Sequence, residues 1–435
     1  MLVHRRFQAA RHLPLVALCL TLVGVLLAGC GVHPGGEQIA YQRADQLWVI
    51  NPDGSNARQL AAHNILGYSW SPDHHELVFR YGSSIAQTPG ATWAPLETIS
   101  ELAVVSISGG QPTQITPSAR GLARSDAWWD PQGNRLLYRE YTPGPGIAAP
   151  IYIESQNDQP VGIARKVILG AATLPTLSPD GARVAVIDPT GAVRLGPAAQ
   201  LGDIIARGAL TSLPGTTRPA RLLWQPNHNA IVYPSAGANG ATTLTRLDLT
   251  THASRAITTV SDLRDMAFSP DGTLLLLATP TGYTVMPISG GTARAVINES
   301  DPLAQVYWSP NGRWLLLEDH QGARLIRTSD WSVMGALTYT KPLTEPQISE
   351  LTPWRPAAVS PWSSDSSAFA FVSDEGSWQG QALARQQGTT LSSLYVEKVT
   401  QRSAQGAPTR IASSDITTPG WSYIDPSTTL LMAAA

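Results

Sequence analysis

The sequence predicts an all-β fold, a β-propeller of four-stranded blades, and three observations carry that prediction. An aromatic–Ser–Pro–Asp/Asn–Gly turn recurs along the chain. Each copy is followed at once by a short apolar run, and then by two further short strands. The composition suits turns and short strands: of 435 residues, 37 are Gly and 34 are Pro, and 14% are charged.

The clearest copy is Trp308-Ser309-Pro310-Asn311-Gly312, followed by Trp314-Leu315-Leu316-Leu317. Pro presets φ at the first central turn position, Asn or Asp bonds the local backbone, and Gly takes the left-handed conformation that reverses the chain. Equivalent turns begin at Trp70, Trp129, Leu177, Trp224, Phe268, Trp362 and Trp421, the last two degenerate. Their spacings are 59, 48, 47, 44, 40, 54 and 59 residues. Apolar runs after the turns include Leu77-Val78-Phe79, Val184-Ala185-Val186, Ile231-Val232-Tyr233 and Phe369-Ala370-Phe371. A third strand (Leu102 to Ile107, Tyr283 to Ile288) and a short fourth (Gln114-Ile115-Thr116, Arg255 to Thr258, Thr409-Arg410-Ile411) complete each repeat. A four-stranded unit of this kind cannot bury both faces alone, and a ring of such units supplies the missing partners. The stretch 188–222 has poor strands.

Both ends of the chain carry partial repeats, with strands at 39–41, 46–50 and 58–60 and a final hairpin of Trp421 with Leu430-Leu431-Met432. Placing them in one blade closes the ring, giving eight blades, with seven as the alternative. One propeller domain is expected over 39–435.

Residues 1–29 read as a leader. Arg5, Arg6 and Arg11 precede an apolar run from Leu13 to Ala28, too short and wrongly flanked for a membrane span. Leu27-Ala28-Gly29-Cys30 resembles the bacterial lipobox. That resemblance implies cleavage before Cys30, lipid on Cys30, an extracytoplasmic membrane-anchored address, and a short tether over 30–38. The chain has two Cys, Cys19 and Cys30, so the mature part is expected to have neither disulfide nor thiol chemistry. Without Arg5, Arg6 and Arg11 it holds 27 basic against 32 acidic residues, a balance that argues against nucleic-acid binding. Three cations are Lys (Lys166, Lys341, Lys398) and the rest are Arg.

The turns resemble the TolB-type propeller repeat, with its Trp-Ser-Pro-Asp-Gly and Asp-Gly-Ser-Asn-type turns; Asn51-Pro52-Asp53-Gly54-Ser55-Asn56 before Arg58-Gln59-Leu60 is close to the second. The resemblance spans roughly residues 39–430 and implies the propeller, not a function. No Gly-x-Ser-x-Gly elbow of a propeller-linked peptidase is present.

Asp73, Asp180 and Asp271 are expected to cap their own turns, and the Trp heading each hairpin to pack between blades. His74 and His75 are adjacent and would point to opposite faces, and the other His residues lack ligand spacing, so neither a metal site nor a cofactor is expected. The informative departures are long segments at about 81–100, 141–149, 341–358 and 374–391. In an eight-membered ring they crowd one sector of one face. They carry Trp93, Tyr141, Trp354, Arg355 and Trp378, with Glu97, Glu345 and Glu350, and the five aromatic and Arg residues are the candidate binding set. No catalytic constellation is visible, so the expected function is a monomeric, non-catalytic scaffold binding an envelope protein or polysaccharide. A solute-binding or sensory lipoprotein and a propeller-type glycosidase or lyase are the alternatives.

Overall fold

In the computed structural model the chain divides into two units, Met1–Glu37 and Gln38–Ala435, and every described strand lies in the second. The structure describes residues 36–421, apart from 85–97, 117–122, 142–150, 157–164, 168–175, 188–192, 198–210, 213–221, 237–240, 299–304, 339–359, 375–391, 400–407 and a few isolated residues. Among the described residues there is no helix, and so none long and apolar enough to cross a membrane.

Among the described residues the strands form small antiparallel sheets that follow one another along the chain: seven of four or five strands and one of three, eight in all. Sheet 2 is typical, with strands Ile65–Trp70, Glu76–Ser84, Thr98–Ser106 and Thr113–Gln114 side by side in that order. Sheet 3 begins with two short strands, Ala123–Arg124 and Trp128–Trp129, both paired with Arg135–Tyr141. Sheet 4 falls in the stretch with weak strand signals, yet Val193–Pro197 and Thr211–Ser212 supply its third and fourth strands. In sheet 8 the first strand is reduced to a single bridge, Trp362 with Phe369. This is the propeller the repeat predicts.

The recurrent turn joins the short first strand of sheets 2 to 8 to the strand that follows it. In sheet 7 (Gln305–Trp308, Trp314–Asp319, Gly322–Arg327, Ser332–Thr338) the Ser309 hydroxyl accepts the Trp314 N–H at 2.9 Å and donates to Asn311 Oδ1 at 2.9 Å. Asn311 Oδ1 also accepts the Arg313 N–H at 3.0 Å, and Gly312 N–H reaches Ser309 O at 2.8 Å. Gly312 sits at φ 68°, where an L side chain crowds the following carbonyl. His74 and Ser366 take the same position at φ 64° and 63° without that freedom. Asp73, Asp180 and Asp271 cap their turns as expected. At Asp180, hydrogen bonds from the Ser178 hydroxyl and the Ala182 N–H hold the carboxyl below the usual carboxylate range.

Successive sheets interlock in three ways. First, each hydrophobic cluster joins two consecutive sheets; one runs from Leu223, Val232 and Leu244 of sheet 5 to Met266, Phe268 and Leu275 of sheet 6. Second, the hairpin Trp residues are buried between sheets, and four of their indole N–H groups cross the boundary. Trp129 Nε1 donates to Ser69 O at 3.4 Å, Trp224 to Thr176 O at 3.2 Å, Trp362 to Tyr307 O at 3.4 Å and Trp70 to Gly420 O at 3.3 Å. The acceptor is always the residue just before the hairpin head of the preceding sheet. Third, an Arg early in a fourth strand reaches carbonyls just past the third strand of the next sheet. Arg58 reaches Ile107 O; Arg255 reaches Ile288 O at 2.7 Å and Ser289 O at 2.5 Å; Arg294 reaches Asp330 O at 3.0 Å. The turns themselves also touch: Gln225 Nε2 donates to Gly272 O at 2.8 Å, and Asn311 N–H to Ser366 Oγ at 3.1 Å.

Closure is by three strands plus one. Sheet 1 runs Arg58–Ala61, Gln46–Ile50, Ile39–Arg43, Ile416–Trp421, so the first strand of the chain pairs directly with its last described one. The terminal strands share a blade as expected. Ile39–Arg43 occupies the position next to Ile416–Trp421, with Ile39 opposite Trp421, and residues 430–432 lie outside the described residues. Ile39, Tyr41, Ile416 and Trp421 then share a buried cluster with sheet 8.

Two outcomes follow. Trp308 Nε1 is buried without a partner, whereas the Trp362 indole is bonded. Chemical denaturation should therefore show Trp362→Phe costing about 1 kcal/mol more than Trp308→Phe. A Cβ on Gly272 would stand 2.4 Å from Pro226 O at φ 71°, whereas one on Gly109 at φ 98° meets nothing within 4 Å. Gly272→Ala should lower the melting temperature well below that of Gly109→Ala, by roughly 2 kcal/mol of stability.

Candidate binding cleft

Alternation along Glu76–Ser84 puts Phe79 and Tyr81 on one face of sheet 2, the face turned to sheet 1. Register sets Tyr81 opposite Glu101 and Phe79 opposite Ala103, and Ala103 in turn opposite Gln114. The two rings lie 5.7 Å apart, tilted by 46°. The Tyr81 hydroxyl donates to Glu101 Oε2 at 3.3 Å, and the Gln114 amide donates to the same oxygen and to Thr116 O at 2.7 Å. Across the boundary stands the outer strand of sheet 1, Arg58–Ala61, displaced by a bulge between Leu47 and Trp48. The two sides enclose a cleft of about 580 Å³, walled by Gln59 to Ala62, Phe79, Tyr81, Ala103, Gly110 to Pro112 and Gln114. That volume is within the range of about 300–1,000 Å³ usual for small-ligand sites.

Among the described residues that line this cleft, none is charged. Burial, then the adjacent Glu101 carboxylate, push the Tyr81 hydroxyl above its ordinary value, so it stays a neutral donor. Arg58, at the edge, is turned to Gln38 Oε1 at 3.1 Å and to Ile107 O. The arrangement offers amides, one hydroxyl and an aromatic floor, which is the chemistry of recognition. Among the described residues no three His, Cys, Asp or Glu side chains gather as a metal would need.

Of the residues singled out by sequence, Tyr141 is placed: it ends the strand Arg135–Tyr141, opposite Ala123. Cys30, Trp93, Trp354, Arg355 and Trp378, with Glu97, Glu345 and Glu350, lie outside the described residues. Beside Tyr141 is a buried ion pair that the sequence does not announce. Arg124 Nη2 is 3.2 Å from Glu140 Oε2, and its Nη1 donates to Ser100 O at 2.8 Å. Ser100 Oγ accepts the Arg124 N–H at 2.8 Å and donates to Arg124 O at 2.9 Å. The pair clamps the starts of the third strand of sheet 2 and the first strand of sheet 3. Its partners come from different repeats and from a two-residue strand, so no local pattern marks it.

Glu397 is a second buried acid. Its register partner is Phe369, on the face of sheet 8 that packs against sheet 7. It is 1% exposed, neither oxygen has a hydrogen-bond partner, and burial raises its carboxyl above the usual range.

No family model and no curated protein matches the chain. Solved structures do. The crystal structure of the eukaryotic initiation factor is similar at a TM-score of 0.53 and 10% identity, over 89% of this chain and 99% of that one. The C-terminal WD40 domain of Sif2 is similar at 0.44 and 12%, over 82% and 84%. A putative TolB from Agrobacterium tumefaciens is similar at 0.34 and 16%, over 50% and 82%. At such identities the likeness is one of fold, and the chain is a β-propeller with WD40 and TolB-like propellers among its structural neighbours.

Glu397 makes a pH prediction. A carboxyl raised by burial binds its proton longer in the folded state, so its contribution is fully favourable below the unfolded value and is lost as pH rises through the folded one. Glu397→Gln should raise the melting temperature at pH 8 and shrink the difference between pH 5 and pH 8. The turn acid Asp180 acts oppositely: its stabilisation is lost as pH falls through its lowered value.

Proposed function

We propose that this chain is a lipid-anchored, extracytoplasmic propeller that serves as a non-catalytic scaffold at the cell envelope, holding a protein or polymer partner. The observation that carries this reading is a closed ring, cross-bonded from sheet to sheet, that leaves a cleft of ligand size between sheets 1 and 2. The acids that a catalytic reading would recruit from the turns are used instead on their own backbones: Asp73, Asp180 and Asp271 each accept a Ser hydroxyl and an N–H. The anchor rests on Leu27-Ala28-Gly29-Cys30, nine residues before the first strand. Trp93, Tyr141, Trp354, Arg355 and Trp378 remain the loop residues through which a large partner would be gripped.

Tagged full-length chain, recovered from membranes, should capture a reproducible envelope partner. Replacing Trp93, Trp354 and Trp378 together by Ala should weaken that capture about tenfold. Recovery of no partner sinks the scaffold. Cys30→Ser should move the chain out of the membrane fraction, and continued partitioning with membranes after leader cleavage would overturn the lipid anchor.

A further inference from the structure

The repeats provide their own control for the cleft. In sheets 2 and 6 the third strand runs into a Gly-Gly turn, at Gly109-Gly110 and Gly290-Gly291, all four at positive φ. Both turns are met by an Arg from the preceding sheet. At Gly290 that Arg fills the space: Arg255 Nη1 lies 3.4 Å from where a Cβ would stand. At Gly109 and Gly110 nothing lies within 4 Å of such a Cβ. Arg58 makes its bond to Ile107 O one step short of the turn, and the space beyond it is the cleft. The same latch thus closes one boundary and leaves the other open.

We propose that this open boundary is a subsite for an uncharged, hydroxyl-rich glycan segment; the inference rests on the scaffold reading and names one ligand class for it. Gln59 and Gln111, both exposed, present amides able to give to one hydroxyl and accept from another, while the Gln114 amide is spent on Glu101 and Thr116 and forms part of the wall. Tyr81 is held by Phe79 on one side and Glu101 on the other, so its ring edge is fixed before any ligand arrives. Among the described residues of these walls an anionic polymer would find no Lys or Arg side chain, and a cationic one would find the nearby Glu101 carboxylate already taken by Tyr81 and Gln114. Neutral hydroxyls match what is left. The cleft is open at the rim, which suits a chain that enters and leaves rather than a buried monomer.

The test uses the full chain in a polyoxyethylene detergent, so that no sugar headgroup competes. Soluble cello-, malto-, xylo- and chito-hexaoses are titrated by calorimetry, beside neutral and acidic decapeptides. At least one oligosaccharide should bind with a Kd below about 1 mM. Gln59→Ala with Gln111→Ala, both at exposed positions, should weaken it about tenfold with the melting temperature unchanged. No binding by any oligosaccharide, equal binding by the double variant, or binding by peptides alone overturns the proposal. The two readings separate cleanly. A partner still captured by the double variant leaves the scaffold standing without the glycan subsite, whereas sugar binding without a captured partner leaves the subsite without the scaffold.

Discussion

The buried contact between neighbouring sheets is the constraint on which everything else here depends. A four-stranded sheet of five-residue strands has an apolar residue on each face and no means of covering either. Leu275 and Leu277 go to one neighbour and Leu276 to the other, and the same division recurs at Leu315, Leu316 and Leu317. No sheet is therefore stable on its own terms. The indole N–H bonds add direction to that non-directional burial, since each fixes how far one sheet is slid and turned against the last. A buried N–H left unpaired would cost about as much as the bond contributes, and the Trp308 indole is one that stays unpaired.

The outer Arg residues explain a compositional oddity. Lys is nearly absent, and a bias in the genome would account for that equally well were the positions arbitrary. They are not arbitrary: Arg58, Arg255 and Arg294 occupy matching places in their fourth strands and bond carbonyls in the next sheet. A guanidinium can bridge two successive carbonyls, as Arg255 does with Ile288 and Ser289, while an ammonium on a flexible stem is less suited to that fork. Being exposed, such bonds add little each; what they add is alignment at large radius, where a small rotation moves a sheet furthest.

The fold was legible in the sequence because its signal is local and repeated. Ser309, Pro310, Asn311 and Gly312 each have a job that depends on neighbours within five residues, so eight weak copies reinforce one another. The role of the hairpin Trp residues was equally readable. The cleft was not, since Tyr81 and Glu101 meet through a register set across 20 residues, and Gln59 arrives from another sheet altogether. Arg124 and Glu140 were hidden for the same reason. Sequence marked the loop residues by their departure from the repeat, and of these Tyr141 alone falls among the described residues, at the end of a strand.

The three-plus-one closure gives the molecule a mechanical character. The strand Ile39–Arg43 comes directly after the segment that leads back to Cys30, and it is bonded on both sides, to Gln46–Ile50 and to Ile416–Trp421. Tension arriving through residue 38 would pull along that strand, not across it, so the ladders on either flank would resist together instead of opening one rung at a time. With the proposed anchor on Cys30, the point of attachment and the seam of the ring would be one element. A pull that held would tighten the grip of the first strand on the last; a pull that succeeded would release the seam, and with it the burial that keeps every other sheet in place.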